Sequence, residues 1–180
     1  MPAHQTAAIY SITHDCRQEE QTAQVAQALA LGLSQFLQQH PNHHLNLALE
    51  GELGAGKTTF ARHLIHSMGY VGRVKSPTYT LCEPYPLKLN HAQATDISIT
   101  AHHFDLYRMC DPLEWQEAGF VEHFDAPGFC LIEWLAKAEG TLPTMDIEIG
   151  ITAGQTEEER IITLNAYTEP GQAILLSQKK

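Results

Sequence analysis

The stretch GELGAGKTT, from Gly51 to Thr59, constrains this chain more than any other. It fits G-x-x-x-x-G-K-[ST], with Gly51, Gly56, Lys57 and Thr58 at the fixed positions. Before it runs LNLALE (Leu45 to Glu50), a short apolar strand. After it, TTFARHLIHSMG sets Phe60, Leu64 and Met68 on one helical stripe with Ala61 and Ile65 beside it, and Gly69 follows as a C-terminal cap. Strand, glycine loop and helix form the context a phosphate loop requires. The glycines let backbone N–H groups face phosphate oxygens, and the helix adds the positive end of its dipole. In such a loop Lys57 neutralises the β- and γ-phosphates and the Thr58 hydroxyl ligates Mg²⁺.

The flanking pattern predicts an α/β fold: one P-loop NTPase-like domain over 1–180 with a mixed parallel and antiparallel sheet flanked by helices. AAIYSIT reads as a strand, and Asp15 as the N-cap of a helix with Gln18 three residues on. Val25, Leu29, Leu33, Phe36 and Leu37 carry that helix to about Gln39. RVKSPTYTLCEPYPL reads as strand and loop broken by three prolines, and DPLEWQEAGF as a helix with an Asp-Pro start. ISITAHHFDLYR and GFCLIEW read as strands, while MDIEIGI and ERIITLNA alternate as later antiparallel strands. The connector 86–101 is long, and the tail from about 168 is expected as a disordered end or a short helix.

Composition removes several functions. No apolar run approaches the roughly 20 residues of a membrane span, and the N-terminus has neither a basic nor an apolar leader segment. The scattered Cys16, Cys82, Cys110 and Cys130, without a C-x-x-C pair, suit reduced thiols in cytoplasm. The net charge of −10, and no basic cluster beyond QKK at the C-terminus, argue against tight nucleic-acid binding by the chain alone.

Phosphoryl transfer also needs a carboxylate at the end of a neighbouring strand. Asp105 closes ITAHHFD and Glu133 closes GFCLIE, with Trp134 directly after it. His102 and His103 point to opposite faces of their strand and cannot readily share an ion. The hydroxyl-rich KSPTYT, Lys75 to Thr80, reads either as a proline turn or as a switch-like loop. A P-loop kinase is a competing reading, yet kinases close an arginine-bearing lid, and between Arg108 and Arg160 the only base is Lys137. A nucleotide-dependent binding module is the other alternative.

GELGAGKTTFARHL, VKSPTYTL, HHFDLYR and LIEW, in this order and at these intervals, resemble the TsaE (YjeE) family. That family is the ATPase subunit of the bacterial machinery making threonylcarbamoyladenosine (t6A) on tRNA. The likeness runs from EEQT (Glu19 to Thr22) to GTLP (Gly140 to Pro143). It implies that Gly54, Ala55, Gly56, Lys57, Thr58 and Thr59 bind the ATP phosphates and that Thr58 with Glu133 holds Mg²⁺. It implies that Asp105 acts at the metal or the attacking water, and that Lys57, Asp105 and Glu133 carry catalysis. Ser76 and Thr78 would belong to the switch-like loop, Trp134 would lie near the nucleotide, and Glu19 would approach it. The implied partners are TsaD and TsaB, with tRNA reached through them. The chain departs from the family pattern in its long 86–101 connector and in Leu135, where proline often follows the Glu-Trp pair.

Overall fold

A computed structural model describes residues 7–90 and 95–178. Its centre is a seven-stranded sheet: β1 (Tyr10–Cys16), β2 (His44–Glu50), β3 (Cys82–Leu89), β4 (Ile97–Asp105), β5 (Gly128–Glu133), β6 (Ile147–Ala153) and β7 (Arg160–Ala166). The order across it is β1-β7-β6-β2-β5-β4-β3. β6, β2, β5 and β4 run parallel to one another, while β7 and β1 on one flank and β3 on the other pair antiparallel. The central strands read as almost unbroken apolar runs because both faces of the sheet are covered: β5 is buried from Gly128 to Glu133.

Alternation divides the strands between two cores. Leu45, Leu47 and Leu49 of β2, with Phe129 and Leu131 of β5, pack under α1 (Glu19–Gln39), α2 (Lys57–Ser67) and α4 (Glu169–Ser177). Ala48, Phe104, Cys130 and Ile132 face the other way, onto Trp115 and Phe124. That second face is covered by α3 (Glu114–Glu117) and a 3₁₀ turn over Val121–Phe124.

Several local expectations shift. β1 starts three residues later than AAIYSIT predicts and runs through Asp15, so Asp15 caps nothing. The α1 cap is Gln18, where the Gln21 side chain accepts from the N–H groups of Arg17 (2.6 Å) and Gln18 (3.3 Å). The helix expected in DPLEWQEAGF is a single turn, stopped where Gly119 turns to φ +85°. The tail folds as α4, its N-terminus capped by the Thr168 hydroxyl accepting from Gly171 N–H at 3.2 Å. Most of the 86–101 connector is the β3–β4 hairpin; residues 91–94 lie outside the described residues, as do Lys179 and Lys180 of QKK.

Pro84 and Pro86 sit inside β3, which is possible because β3 is an edge strand. Asp105 N–H donates to Leu81 C=O at 3.1 Å, so odd-numbered residues of β3 face the ladder and even-numbered ones turn their N–H positions outward. Both missing donors therefore fall on the free side of the strand. No helix among the described residues is long and apolar enough to cross a membrane. The four cysteines are free, and burial pushes the Cys82 thiol up to about 12 and Cys130 upward as well, which leaves both unreactive.

His102, buried under the second face, stacks on His123 with centroids 4.1 Å apart. Burial first, then the neighbouring His123 and His44, bring its pKa down to about 4 from the ordinary 6.5. Between those values the unfolded chain binds the proton and the folded chain does not, so this contribution to stability is whole above pH 6.5 and lost as pH falls toward 4. In His102→Phe the loss of unfolding free energy between pH 7 and pH 4.5 is expected to shrink by up to about 3 kcal/mol, read from urea melts at both pH values.

Candidate functional site

The site forms at the carboxyl ends of the parallel strands, where β2 runs into the glycine loop and α2. Gly51 must lack a side chain, since a Cβ there would stand 2.5 Å from the Ile151 carbonyl oxygen. Gly56 caps α2 in the left-handed region at φ +105°, and no side chain caps the first N–H groups of the helix. Gly54, Ala55 and Thr59 complete the loop and first turn, with Ala55 N–H bonded to Glu52 C=O at 3.1 Å. Such a cradle of unpaired donors suits an anion of phosphate size.

Lys57 is buried, and its ammonium donates to the carbonyl oxygens of Gly51 (2.7 Å) and Glu52 (2.9 Å). It also lies 4.3 Å from the centroid of the Trp134 ring, a cation–π contact. Trp134 reaches that place because its backbone turns left-handed at φ +62°, directly after β5. Its ring also packs on Tyr107 at 5.0 Å. A non-glycine residue in this region costs roughly 1 to 3 kcal/mol, and it persists where its surroundings hold it. Leu135 opens a 3₁₀ turn over Leu135–Ala138.

Asp105 and Glu133 end β4 and β5 and stand directly opposite each other in the register. Both are buried, at 5% and 3% exposure, so neither is a solvated strand end. Each is supplied with donors. Glu133 Oε1 accepts from the Thr58 hydroxyl (3.0 Å) and from His103 Nε2 (2.9 Å). Asp105 Oδ2 accepts from the Thr78 hydroxyl (3.1 Å), and Oδ1 from Tyr107 N–H (3.0 Å). Ser76 joins through its hydroxyl, 2.7 Å from that of Thr78, so KSPTYT is tied to the strand ends rather than standing free. Two acidic groups side by side out of water repel, and a hydroxyl from the phosphate-loop helix lies beside them. This donor set of hard oxygens fits a divalent cation such as Mg²⁺.

Thr58, Ser76, Thr78, Asp105 and Glu133 are thus linked at adjoining strand ends, and Trp134, next to Glu133, covers Lys57. Glu19 opens α1, its carboxylate 3.3 Å from His63 Nε2, and lines a small cavity together with Ala55, Gly56 and Thr59 of the loop and with Arg160. Arg160 is the residue that sequence reasoning missed. Its Nε donates to Ala55 C=O at 2.7 Å and its Nη1 to Glu157 and Glu159 carbonyls, bracing the loop from behind. Nothing local marks it, since 105 residues separate the partners. The bases also gather more than the sequence suggested, with Arg62, Arg73, Lys75 and His66 lining one groove next to Ser76.

Comparison with known proteins gives the family. The family described as "Threonylcarbamoyl adenosine biosynthesis protein TsaE" matches residues 16–162. The tRNA threonylcarbamoyladenosine biosynthesis protein TsaE of Haemophilus influenzae is 39% identical over 140 residues, covering 78% of this chain and 82% of that protein. The protein of the same name from Bacillus subtilis is 38% identical over 120 residues, covering 67% and 68%. The crystal structure of YdiB from Bacillus subtilis superposes with a TM-score of 0.70 at 25% identity, covering 97% of each chain. With a family match over residues 16–162 and relatives of this identity and coverage, the chain belongs to the TsaE family.

Proposed function

We propose that this chain is the Mg²⁺-dependent ATPase subunit of the machinery forming the threonylcarbamoyl group on adenosine 37 of tRNAs reading ANN codons, acting with TsaD and TsaB in the cytoplasm. The observation that carries this reading is the meeting of Thr58, Glu133 and Asp105 at the mouth of a phosphate loop in a TsaE-family chain.

Each residue has a task that follows from its surroundings. Lys57 exchanges the Gly51 and Glu52 carbonyls for the β- and γ-phosphate oxygens of ATP, a stronger charge-assisted pairing. Thr58 and Glu133 would hold Mg²⁺, with Asp105 beside them; bound there, the ion neutralises charge on the transferring phosphoryl group. Asp105 keeps Oδ1 on the fixed Tyr107 N–H, while its Oδ2 bond to Thr78 is the exchangeable one. Releasing Thr78 frees that oxygen to orient the attacking water, which couples the Ser76–Thr78 loop to the chemistry.

Slow hydrolysis by the chain alone is expected because, among the described residues, no arginine bonds to Thr58, Asp105 or Glu133, and Arg62 and Arg73 line a groove beside Ser76 instead. Arg160 is held by main-chain carbonyls behind the loop, and Arg108 lies over the Tyr79 ring at 4.2 Å. The charge that would stabilise the transition state is left for partners to complete. With a net charge of −10, the chain leaves tRNA to those partners as well.

In a Trp115→Phe background, adding ATP should change Trp134 emission as the Lys57 ammonium leaves the ring; Lys57→Ala should remove that change and weaken ATP binding about tenfold or more. Asp105→Asn should lower partner-stimulated ATP turnover about 100-fold while ATP binding stays measurable by calorimetry. Threonylcarbamoyl transfer by the complex that survives Asp105→Ala and Glu133→Ala would mark a nucleotide-dependent binding module, and equal ATP hydrolysis with and without TsaD and TsaB would remove the subunit reading.

A further inference from the structure

His103 is fully buried in β4, two residues before Asp105 and therefore on the same face of the strand. Its ring has one polar contact, Nε2 to Glu133 Oε1 at 2.9 Å, and Nδ1 is buried without a partner. A carboxylate only accepts, so Nε2 carries the hydrogen in this bond. The same Oε1 receives the Thr58 hydroxyl at 3.0 Å. Two donors thus converge on one oxygen of Glu133, and no donor among the described residues reaches Oε2.

That division has a chemical use. A buried carboxylate with a free rotamer points its charge wherever a donor is nearest. With Oε1 saturated from two directions, the plane of the group is set and Oε2 remains available. Thr58 alone does not do this, because its oxygen is itself a ligand candidate and its hydroxyl rotates. The histidine arrives from the neighbouring strand, a rigid element with no part in the loop. Groups of this kind, hydrogen-bonded behind a metal-binding carboxylate, typically alter metal affinity by about 10- to 100-fold.

We propose that His103 is a positioning residue for the metal-holding carboxylate: its Nε2–H orients Glu133 so that Oε2 is presented to the divalent cation. The proposal rests on the reading of this pocket as a Mg²⁺–nucleotide site. A histidine that merely fills the core would affect folding and nothing specific to metal.

The test uses the full chain with Mn²⁺ as a spectroscopic probe and an imido-bridged, non-hydrolysable ATP analogue. Mn²⁺ binding is read from loss of the free-ion electron paramagnetic resonance signal, and analogue binding in excess chelator is read separately by calorimetry. His103→Leu is expected to weaken Mn²⁺ about tenfold or more with analogue present, and to leave metal-free analogue binding unchanged. His103→Gln, whose side-chain amide can donate to the same oxygen, is expected to stay within about threefold of wild type. Where Leu does not fold, His103→Asn, whose amide falls short of Glu133, replaces it. Wild-type Mn²⁺ affinity in Leu or Asn overturns the proposal. So does an equal loss in the Gln variant, or a parallel loss of metal-free binding, since either marks a structural role. A wild-type chain that binds no analogue fails the nucleotide-site reading itself, and the proposal falls with it.

Discussion

Two carboxylates buried side by side set the terms for the surrounding structure. Asp105 and Glu133 face each other across neighbouring parallel strands, about 4.8 Å apart as such strands pack, at 5% and 3% exposure. Ionised groups at that depth are costly unless hydrogen-bonded. The protein meets the requirement with donors from four different places: α2 through Thr58, the loop after it through Thr78, β4 through His103, and the turn after β4 through Tyr107. The phosphate loop, the Ser76–Thr78 segment and the sheet are therefore held in one arrangement by a shared electrostatic need. A change at one oxygen is felt by the element that supplies its donor.

Much of this was legible beforehand because the relevant signals are local. A glycine loop between an apolar strand and an amphipathic stripe announces itself, and Asp105 and Glu133 are marked by apolar runs that end in a charge. What was not legible depends on pairing. Alternation tells which face a residue occupies but not which strand lies beside it, so the register placing Asp105 opposite Glu133 came only with the fold. His103 did carry a signal: the H-x-D spacing puts it on the face of Asp105. Its partner Glu133 lies 30 residues away, so no local pattern names the pair. Arg160 had no signal at all, since a main-chain carbonyl is the same in every residue.

Trp134 shows how the resting site is held. Its left-handed backbone throws the indole over Lys57, whose other contacts are carbonyls of the same loop. The ammonium is thus kept within the loop, with partners weaker than a phosphate. A loop tensioned in this way stays preorganised without an anion, and it gives up little when one arrives.

The prolines of β3 reach beyond their own strand. Pro84 and Pro86 remove two N–H groups from the outer rim, so that side of the sheet offers an incoming chain acceptors with gaps where donors should be. Unlike the opposite rim, β1, which contains no proline, the β3 edge is thereby blunted against the addition of a further strand.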